Sequence, residues 1–248
     1  TGELEQVGQE WFDNLHIRTT DKDNVVLGYT KDNPRGVDFD NFGIKVVNNN
    51  GNVADDKLSH GYMWVHDLDE LQAMGNVKNL NGWYALRNSI DAYNTASMDD
   101  GKGFDPIGDS SQAFTGRFDG LGYSIFGLNV KEDTDAAAGL FGVTNNAHIK
   151  NFTLNGGTIT GGEYIGAAVG SASGGVIENI TNTASVSGTG AEYREDGSIS
   201  DGGVGGIVGY AGNVEMSGLI NIGTISGAED SVNVGGVVGY ISGGSLTG

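Results

Sequence analysis

The sequence predicts an all-β protein built as a right-handed parallel β-helix, a solenoid, with a short helical insertion or cap in its N-terminal half. The first observation behind this prediction is a six-residue segment that occurs four times and closes on Gly142, Gly170, Gly209 and Gly239. These closing glycines are 28, 39 and 30 residues apart. Such a period is typical of solenoids, in which each unit buries its apolar face only by stacking on the next unit.

The second observation is that apolar residues keep constant offsets from the closing glycines. Columns held in register across repeats indicate side chains that stack along one axis, and short segments rich in Val, Ile and Thr between Gly, Ser and Asn favour strands over helices. The four predicted columns are Ile149, Ile177, Met216 and Leu246; Ala137, Ile165, Val204 and Val234; Phe141, Val169, Val208 and Val238; and Ile159, Val186 and Ile225.

The third observation is composition. Glycine supplies 44 of the 248 residues, whereas only two prolines are present, Pro34 and Pro106. Glycine allows the positive φ values and close backbone contacts that sharp corners need. The frequent apolar columns and the scarcity of proline exclude a disordered linker over residues 110–248.

The predicted repeat region covers residues 111–248 and ends in mid-repeat, so we expect the chain to be a fragment of something longer. Residues 1–110 form a less periodic N-terminal part, expected to hold early coils. Phe42, Ile44 and Val46 alternate as in a strand. A short helix is predicted near residues 67–75, with Asp67 as N-cap, Glu70 reaching back to it, and Gly75 ending the helix.

Several motifs resemble a known family. The Gly139-Leu140-Phe141-Gly142 segment and its variants look like the GLUG repeat of large bacterial surface proteins. The run from Phe114 to Ile125 is similar to the lead-in that typically precedes such repeats. The blocks from Trp83 to Ala92 and from Phe104 to Gly108 look like segments of filamentous-haemagglutinin-like exoproteins. The resemblance covers residues 62–248, and it implies a β-helical passenger of a secreted or surface-anchored bacterial adhesin.

Charge and cysteine content narrow the classes of partner. The net charge is −19, which repels nucleic acid and anionic membranes, so neither is an expected partner. No cysteine is present, which excludes a disulfide framework and thiolate metal sites. No run of 18 apolar residues occurs, so we expect no membrane insertion. This balance suits a protein that lives outside the cell, and the resemblance implies that its partner is a host or bacterial surface glycan or protein.

Two acidic loops are candidate calcium sites, because hard cations favour clustered carboxylate oxygens. Asp99, Asp100 and Asp105 lie in the first loop, and Glu195 and Asp196 lie in the second. The second loop also accounts for the 39-residue spacing, and we expect residues 189–203 to protrude. The alternative is that both loops are solvated excursions without a ligand, and the mismatch with known calcium-loop spacings favours it. No cofactor other than calcium is expected.

Tyrosines supply the candidate ligand-binding residues, namely Tyr193, Tyr210 and Tyr240. Tyr210 and Tyr240 each follow a closing glycine, so they should stack one repeat apart. Aromatic faces are common carbohydrate platforms, whereas a stacked ladder is also ordinary solenoid packing, which is the favoured interpretation.

An adhesin without catalytic activity is the function the sequence favours, as a rigid rod that presents loops to a surface ligand. One alternative is a polysaccharide lyase or hydrolase that uses Asp91, Asp99, Asp105 or Asp119 with Arg87 or Arg117. Asp91 and Asp119 lie in turns, where an Asx-type hydrogen bond is a sufficient role. The other alternative is a non-binding stalk that displays another domain.

Overall fold

A computed structural model describes the backbone of residues 16–18, 26–27, 45–47, 62–132, 136–191, 198–199 and 202–248, with side chains from Met63 onward. The described part is an all-β protein in which every pairing between named strands is parallel. Its helical elements are α1 (Leu68–Ala73) and three 3₁₀ turns (Val77–Asn79, Tyr93–Ser97 and Asp99–Gly101). No described helix is long and apolar enough to cross a membrane.

The strands are short, and most hold two to eight residues. In chain order they are β1 (His16–Arg18), β2 (Val26–Leu27), β3 (Lys45–Val47), β4 (Tyr62–Val65), β5 (Trp83–Leu86), β6 (Ile90–Asp91), β7 (Arg117–Asp119), β8 (Ser124–Lys131), β9 (Ala137–Ala138), β10 (Phe141–Asn145), β11 (His148–Gly161), β12 (Tyr164–Gly166), β13 (Val169–Ser173), β14 (Val176–Asn182), β15 (Ser185–Gly188), β16 (Gly203–Gly205), β17 (Val208–Gly212), β18 (Val214–Ser217), β19 (Ile220–Asn221), β20 (Ile225–Gly227), β21 (Val234–Gly235), β22 (Val238–Ile241) and β23 (Gly244–Thr247).

Three parallel sheets organise the repeat region. One has the order β9-β12-β16-β21, the second has the order β10-β13-β17-β22, and the third is a larger sheet through β7-β11-β14-β18-β23 with branches that include β8, β15 and β20. Successive strands within each sheet come from successive sequence repeats. The chain therefore returns to the same three sheets in every repeat, and it contributes more than one strand to the third sheet in repeats such as the one that holds β14 and β15.

Register within these sheets confirms three of the four predicted columns. Ile149 pairs with Ile177, Ile177 pairs with Met216, and Met216 pairs with Leu246. The columns Phe141–Val169–Val208–Val238 and Ile159–Val186–Ile225 are equally continuous. Burial follows the stacking: Ile149 is fully buried, whereas Leu246 in the last strand is 45% exposed.

The first member of the remaining column was predicted wrongly. Ile165 pairs with Ala138 and not with Ala137, and Ala138 is the buried residue of the two. The corner from Ala138 to Phe141 is one residue shorter than the corner from Ile165 to Val169, although Phe141 and Val169 are paired. Counting back from the closing glycine therefore shifts the first repeat by one position.

Corners between strands contain residues with positive φ at equivalent places. One such position is occupied in successive repeats by Asn146, Gly174, Asn213 and Gly243, with φ of 52°, 65°, 55° and 99°. Asparagine and glycine are the residues that tolerate this left-handed conformation at least cost. Asn and Gly residues therefore form corners at the same position in each of these repeats.

Polar side chains also form ladders between repeats. The Nδ2 of Asn151 donates to Oδ1 of Asp119, and Nδ2 of Asn179 donates to Oδ1 of Asn151, both at 3.1 Å. Asn182 is fully buried, and its amide Nδ2 donates to Oδ1 of Asn221 at 2.9 Å. These bonds satisfy amides that would be costly to leave unpaired in the stack.

The short helix α1 forms where the sequence predicts it, with two differences at its ends. Asp67 is the N-cap, and its Oδ1 accepts from the Glu70 backbone N–H at 2.9 Å. The Glu70 carboxylate, however, accepts from the backbone N–H of His66 at 2.7 Å and not from that of Asp67. Gly75 does not end the helix by a left-handed turn, because the C-cap is Met74 in helical conformation.

The acidic insertion lies only partly within the described residues. On its N-terminal side Val186 keeps its register with Ile159, and on its C-terminal side Val204 keeps its register with Ile165. The insertion thus leaves the repeat unshifted, as predicted. The predicted protrusion of residues 189–203 is wrong at its ends, because Ala191 is fully buried and Gly203 is buried in β16. Residues 192–197, 200 and 201 lie outside the described part, so protrusion of the middle of the insertion stays a prediction. Of the predicted N-terminal strand, Val46 lies in β3, and Phe42 and Ile44 fall outside the described residues.

Candidate functional site

The candidate site lies on the outward side of the sheet β10-β13-β17-β22. Val143, Ser171, Tyr210 and Tyr240 occupy one register position in its four strands. The residues that directly follow in the chain, Thr144, Ala172 and Ala211, are buried on the inward side, since successive residues of a strand point to opposite faces. The sheet therefore holds the outward column rigidly, because the inward column is part of the core.

Three tyrosines make a cluster at one end of this column, which we call the tyrosine cluster. The rings of Tyr210 and Tyr240 have centroids 5.8 Å apart and planes tilted by 34°. Tyr164, from β12, meets Tyr210 edge-to-face at 6.2 Å and 90°. These are favoured aromatic geometries. Tyr240 is 38% exposed, so the cluster presents aromatic surface to solvent.

The stacking of Tyr210 and Tyr240 confirms the sequence-based pairing, whereas Tyr164 was missed. Tyr164 pairs with Gly203 and Ala137, so the two adjacent repeats have small residues at its position. A signal was nevertheless present, since Tyr164 directly precedes the buried Ile165 and must point to the opposite face of the strand. Tyr193 lies outside the described residues.

A cleft of about 620 Å³ opens beside the tyrosine cluster. Tyr164, Val143 and Ser171 line one side, and the loop after α1 contributes the opposite side. Three carboxylic acids line the cleft, Asp105, Asp109 and Glu132. The cleft therefore combines one aromatic ring, that of Tyr164, with three carboxyl groups, and we call the segment that carries Asp105 and Asp109 the acidic wall.

Hydrogen bonds to α1 and to β10 hold the acidic wall in place. Gln72 Nε2 donates to the Asp105 carbonyl at 2.8 Å, and the Asp105 N–H donates to Gln72 Oε1 at 3.1 Å. Asp109 Oδ1 accepts from the backbone N–H groups of Ser111 at 2.7 Å and Gln112 at 2.8 Å, an Asx-type turn. The backbone N–H of Ile107 donates to Leu140 at 3.0 Å, which ties the loop to the repeat region.

Burial and neighbouring charge both raise the pKa of Asp105. Partial withdrawal from solvent raises the pKa of Asp105, and the nearby negative charges of Asp109 and Asp99 raise it further. A carboxyl group with a raised pKa retains its proton to a higher pH than an exposed aspartate does.

The residues predicted to bind calcium do not form a cluster in the described structure. Asp99 and Asp100 are exposed in a 3₁₀ turn with φ of 46° and 51°, and Asp105 lies in the cleft wall. Among the described residues, no group of three or more His, Cys, Asp or Glu is placed to hold a metal ion. Glu195 and Asp196 lie outside the described residues, so calcium binding by the second loop stays a prediction.

The other candidate catalytic residues have structural partners. Asp91 Oδ1 accepts from the Tyr93 N–H at 3.1 Å, and Asp119 Oδ1 accepts from the Leu121 N–H at 2.9 Å, as expected for Asx-type turns. The guanidinium carbon of Arg117 lies 4.1 Å from the ring centroid of Trp83. That of Arg87 lies 5.2 Å from the ring centroid of Trp64. Both arginines therefore stack on indole rings.

Comparison with known proteins gives two partial similarities. Over 131 residues the chain is 37% identical to halomucin of Haloquadratum walsbyi, a segment that covers 50% of this chain and 1% of halomucin. Over 116 residues it is 37% identical to a Gly-rich membrane protein of Evansella cellulosilytica, a segment that covers 44% of this chain and 13% of that protein. The chain thus matches a small part of each relative. No family model and no solved structure matches it.

Proposed function

We propose that this chain is part of a β-helical adhesin of the cell envelope, secreted or surface-exposed, that binds surface glycans through the tyrosine cluster and has no catalytic activity of its own. The observation that carries the proposal is the cluster of Tyr164, Tyr210 and Tyr240, held beside a cleft on a rigid sheet. Tyrosine offers large, rigid contact area at low entropic cost, which suits recognition of flat sugar rings.

A closed, right-handed parallel β-helix is the architecture that best accounts for the three sheets. Each repeat contributes a strand to every sheet, with corners at equivalent positions. Crossovers between parallel strands of one sheet are right-handed in about 98% of cases, which supports the proposed hand. Such a rod tolerates variation at outward positions because each repeat contacts only its neighbours.

A location at the cell envelope is supported by three independent features. The relatives bear the names halomucin and Gly-rich membrane protein, the motifs resemble GLUG repeats of surface proteins, and the net charge is −19. A strongly acidic chain stays soluble and repels nucleic acid and anionic lipid. Weak contacts through many copies of such a rod would add up by multivalency.

Glycan binding is tested with a Tyr240→Ala variant on a glycan array, with and without calcium. Loss of the exposed ring should reduce retained signal at least about fivefold, since stacking on one aromatic residue contributes on the order of 1 kcal/mol. Tyr93→Ala is the matched control, because Tyr93 is 61% exposed and lies on a 3₁₀ turn away from the cluster. Equal signal from both variants and the parent chain would refute the proposed site.

Glycoside cleavage is a second candidate function, and the raised pKa of Asp105 favours it. A general acid in a glycosidase needs such a shift, and a second carboxylate, Asp109, lines the same cleft. The assay measures release of reducing ends from a defined polysaccharide by the parent chain and by the Asp105→Asn variant. If the parent chain releases them and the variant does not, although its far-ultraviolet circular dichroism spectrum is unchanged, an enzymatic function would replace the adhesin proposal.

A further inference from the structure

The tyrosine cluster and the cleft form one continuous surface. Tyr164 lines the cleft and contacts Tyr210, and Tyr210 contacts Tyr240. The outward column from Val143 to Tyr240 crosses four strands, which corresponds to about 14 Å at a strand separation of about 4.8 Å. A surface of this length and shape suits several linked sugar units better than one monosaccharide.

Charge along this surface has a single sign. Asp105, Asp109 and Glu132 line the cleft, and none of the described residues that line it is Lys, Arg or His. The faces of the tyrosine rings carry the negative part of the aromatic quadrupole. A carboxylated or sulfated sugar would therefore meet negative charge from the cleft, from the rings and from a chain of net charge −19. Like charges placed together at an interface disfavour a wrong partner.

We propose that this surface accepts uncharged oligosaccharides and rejects those that carry carboxylate or sulfate groups. The inference rests on the proposed glycan binding and specifies its ligand class. The aromatic rings contact the apolar face of the sugar, whereas the carboxylates of the cleft accept hydrogen bonds from its hydroxyl groups. A uronic acid in the same place would bring its carboxylate against Asp105 and Asp109.

Two oligosaccharides of equal length test this selectivity by titration calorimetry at low ionic strength. The probes are an N-acetylglucosamine hexamer, which is neutral, and a galacturonate hexamer, which carries one carboxylate per sugar. We expect the neutral hexamer to bind at least about tenfold more tightly. Added salt should narrow the difference by strengthening binding of the anionic hexamer, because screening weakens repulsion between charges.

A double variant identifies the source of the selectivity. Asp105→Asn with Asp109→Asn removes two charges from the cleft, and the amide oxygen at position 109 can still accept the hydrogen bonds of its turn. We expect the discrimination against galacturonate to fall severalfold. The matched control, Glu215→Gln with Asp230→Asn, removes two exposed charges outside the cleft and should keep the discrimination.

The possible outcomes separate this inference from the function on which it rests. Equal or tighter binding of the galacturonate hexamer would overturn the charge selectivity and leave glycan binding standing. Loss of discrimination in the control double variant as well would attribute the effect to net charge and not to the cleft, and would also overturn the inference. Binding of neither hexamer by the parent chain would overturn both the inference and the proposed glycan binding.

Discussion

Replacing Ile177 by alanine tests whether the stacked interior column is a principal source of stability. Ile177 is 2% exposed and lies between Ile149 and Met216, its partners in the adjacent strands. The substitution removes three carbon atoms, which costs about 2.4 kcal/mol at about 0.8 kcal/mol for each buried methylene. Because neighbours on both sides hold the space open, a cavity adds to this cost, and we expect a total loss of about 3–4 kcal/mol.

The same column supplies its own internal comparison. Leu246 pairs with Met216 on one side but is 45% exposed, so truncation there leaves no closed cavity. We expect Leu246→Ala to cost about 1 kcal/mol, which is roughly half of the transfer free energy of the deleted groups. Ile222 is 74% exposed, and Ile222→Ala should change stability by less than about 0.5 kcal/mol.

The free energy of unfolding of all three variants is measured by urea titration, with unfolding monitored by circular dichroism and by the fluorescence of the three tryptophans. Coincidence of the two transitions justifies a single free energy of unfolding, which repeat proteins do not always have. The reasoning predicts the order Ile177, Leu246, Ile222 from largest to smallest loss. Equal losses for Ile177→Ala and Leu246→Ala, or a loss below about 1 kcal/mol at Ile177, would refute it.

Three further predictions concern other parts of the structure. Asn182→Ala should cost about 1–3 kcal/mol in urea titration, because it leaves the backbone carbonyl and N–H of the buried Ala184 without the hydrogen bonds that Asn182 makes to them. In the same titration, Gly157→Ala should lower the free energy of unfolding far more than Gly156→Ala. Both glycines have positive φ, but a Cβ at Gly157 would clash with the Leu128 carbonyl oxygen, whereas a Cβ at Gly156 meets nothing within 4 Å. Because the pKa of Asp105 is raised, its contribution to the free energy of unfolding is fully present below its unfolded pKa of about 3.8 and is lost as pH rises through the higher folded pKa. Asp105→Asn should therefore flatten this part of the stability–pH curve. An unchanged slope would contradict the assignment.

Sequence periodicity predicted the interior columns because stacking forces equivalent residues into the same environment. The column from Ile149 to Leu246 followed from a constant offset, and the structure pairs its members in that order. The error at Ala137 has the same origin. Counting from a glycine assumes corners of equal length, and the corner that ends at Phe141 is one residue shorter.

The candidate site could be predicted only in part, because half of it lies outside the repeat. Tyr210 and Tyr240 share a register position, so their contact followed from the period. The acidic wall comes from the loop around Asp105 and Asp109, which Gln72 of α1 holds against the sheet. Contacts between a non-repetitive loop and a repeat leave no period in the sequence, and the cleft was therefore not predicted.

Aromatic packing at the start of the repeat region shows the same dependence on tertiary structure. Phe118 contacts Phe141 at 5.5 Å and Phe152 at 5.3 Å, both edge-to-face, and Phe114 contacts Phe141 at 4.9 Å. The sequence marked Phe114 and Phe118 as parts of a resemblance, without a structural role. In the structure both are fully buried in the core, and the residue that pairs with Phe118 in the next strand is Ile149.

The division between inward and outward positions explains how a repetitive chain can carry a specific surface. Inward residues of the sheet β10-β13-β17-β22 are constrained by stacking, since each contacts its equivalent in the next strand. Outward residues at the neighbouring register position change from Val143 to Ser171 to Tyr210 and Tyr240 without altering the strand pairing. The backbone therefore sets the spacing of the outward side chains, and the sequence at those positions sets their chemistry. A binding surface on such a scaffold can change its ligand through outward substitutions alone, provided that the core columns stay apolar.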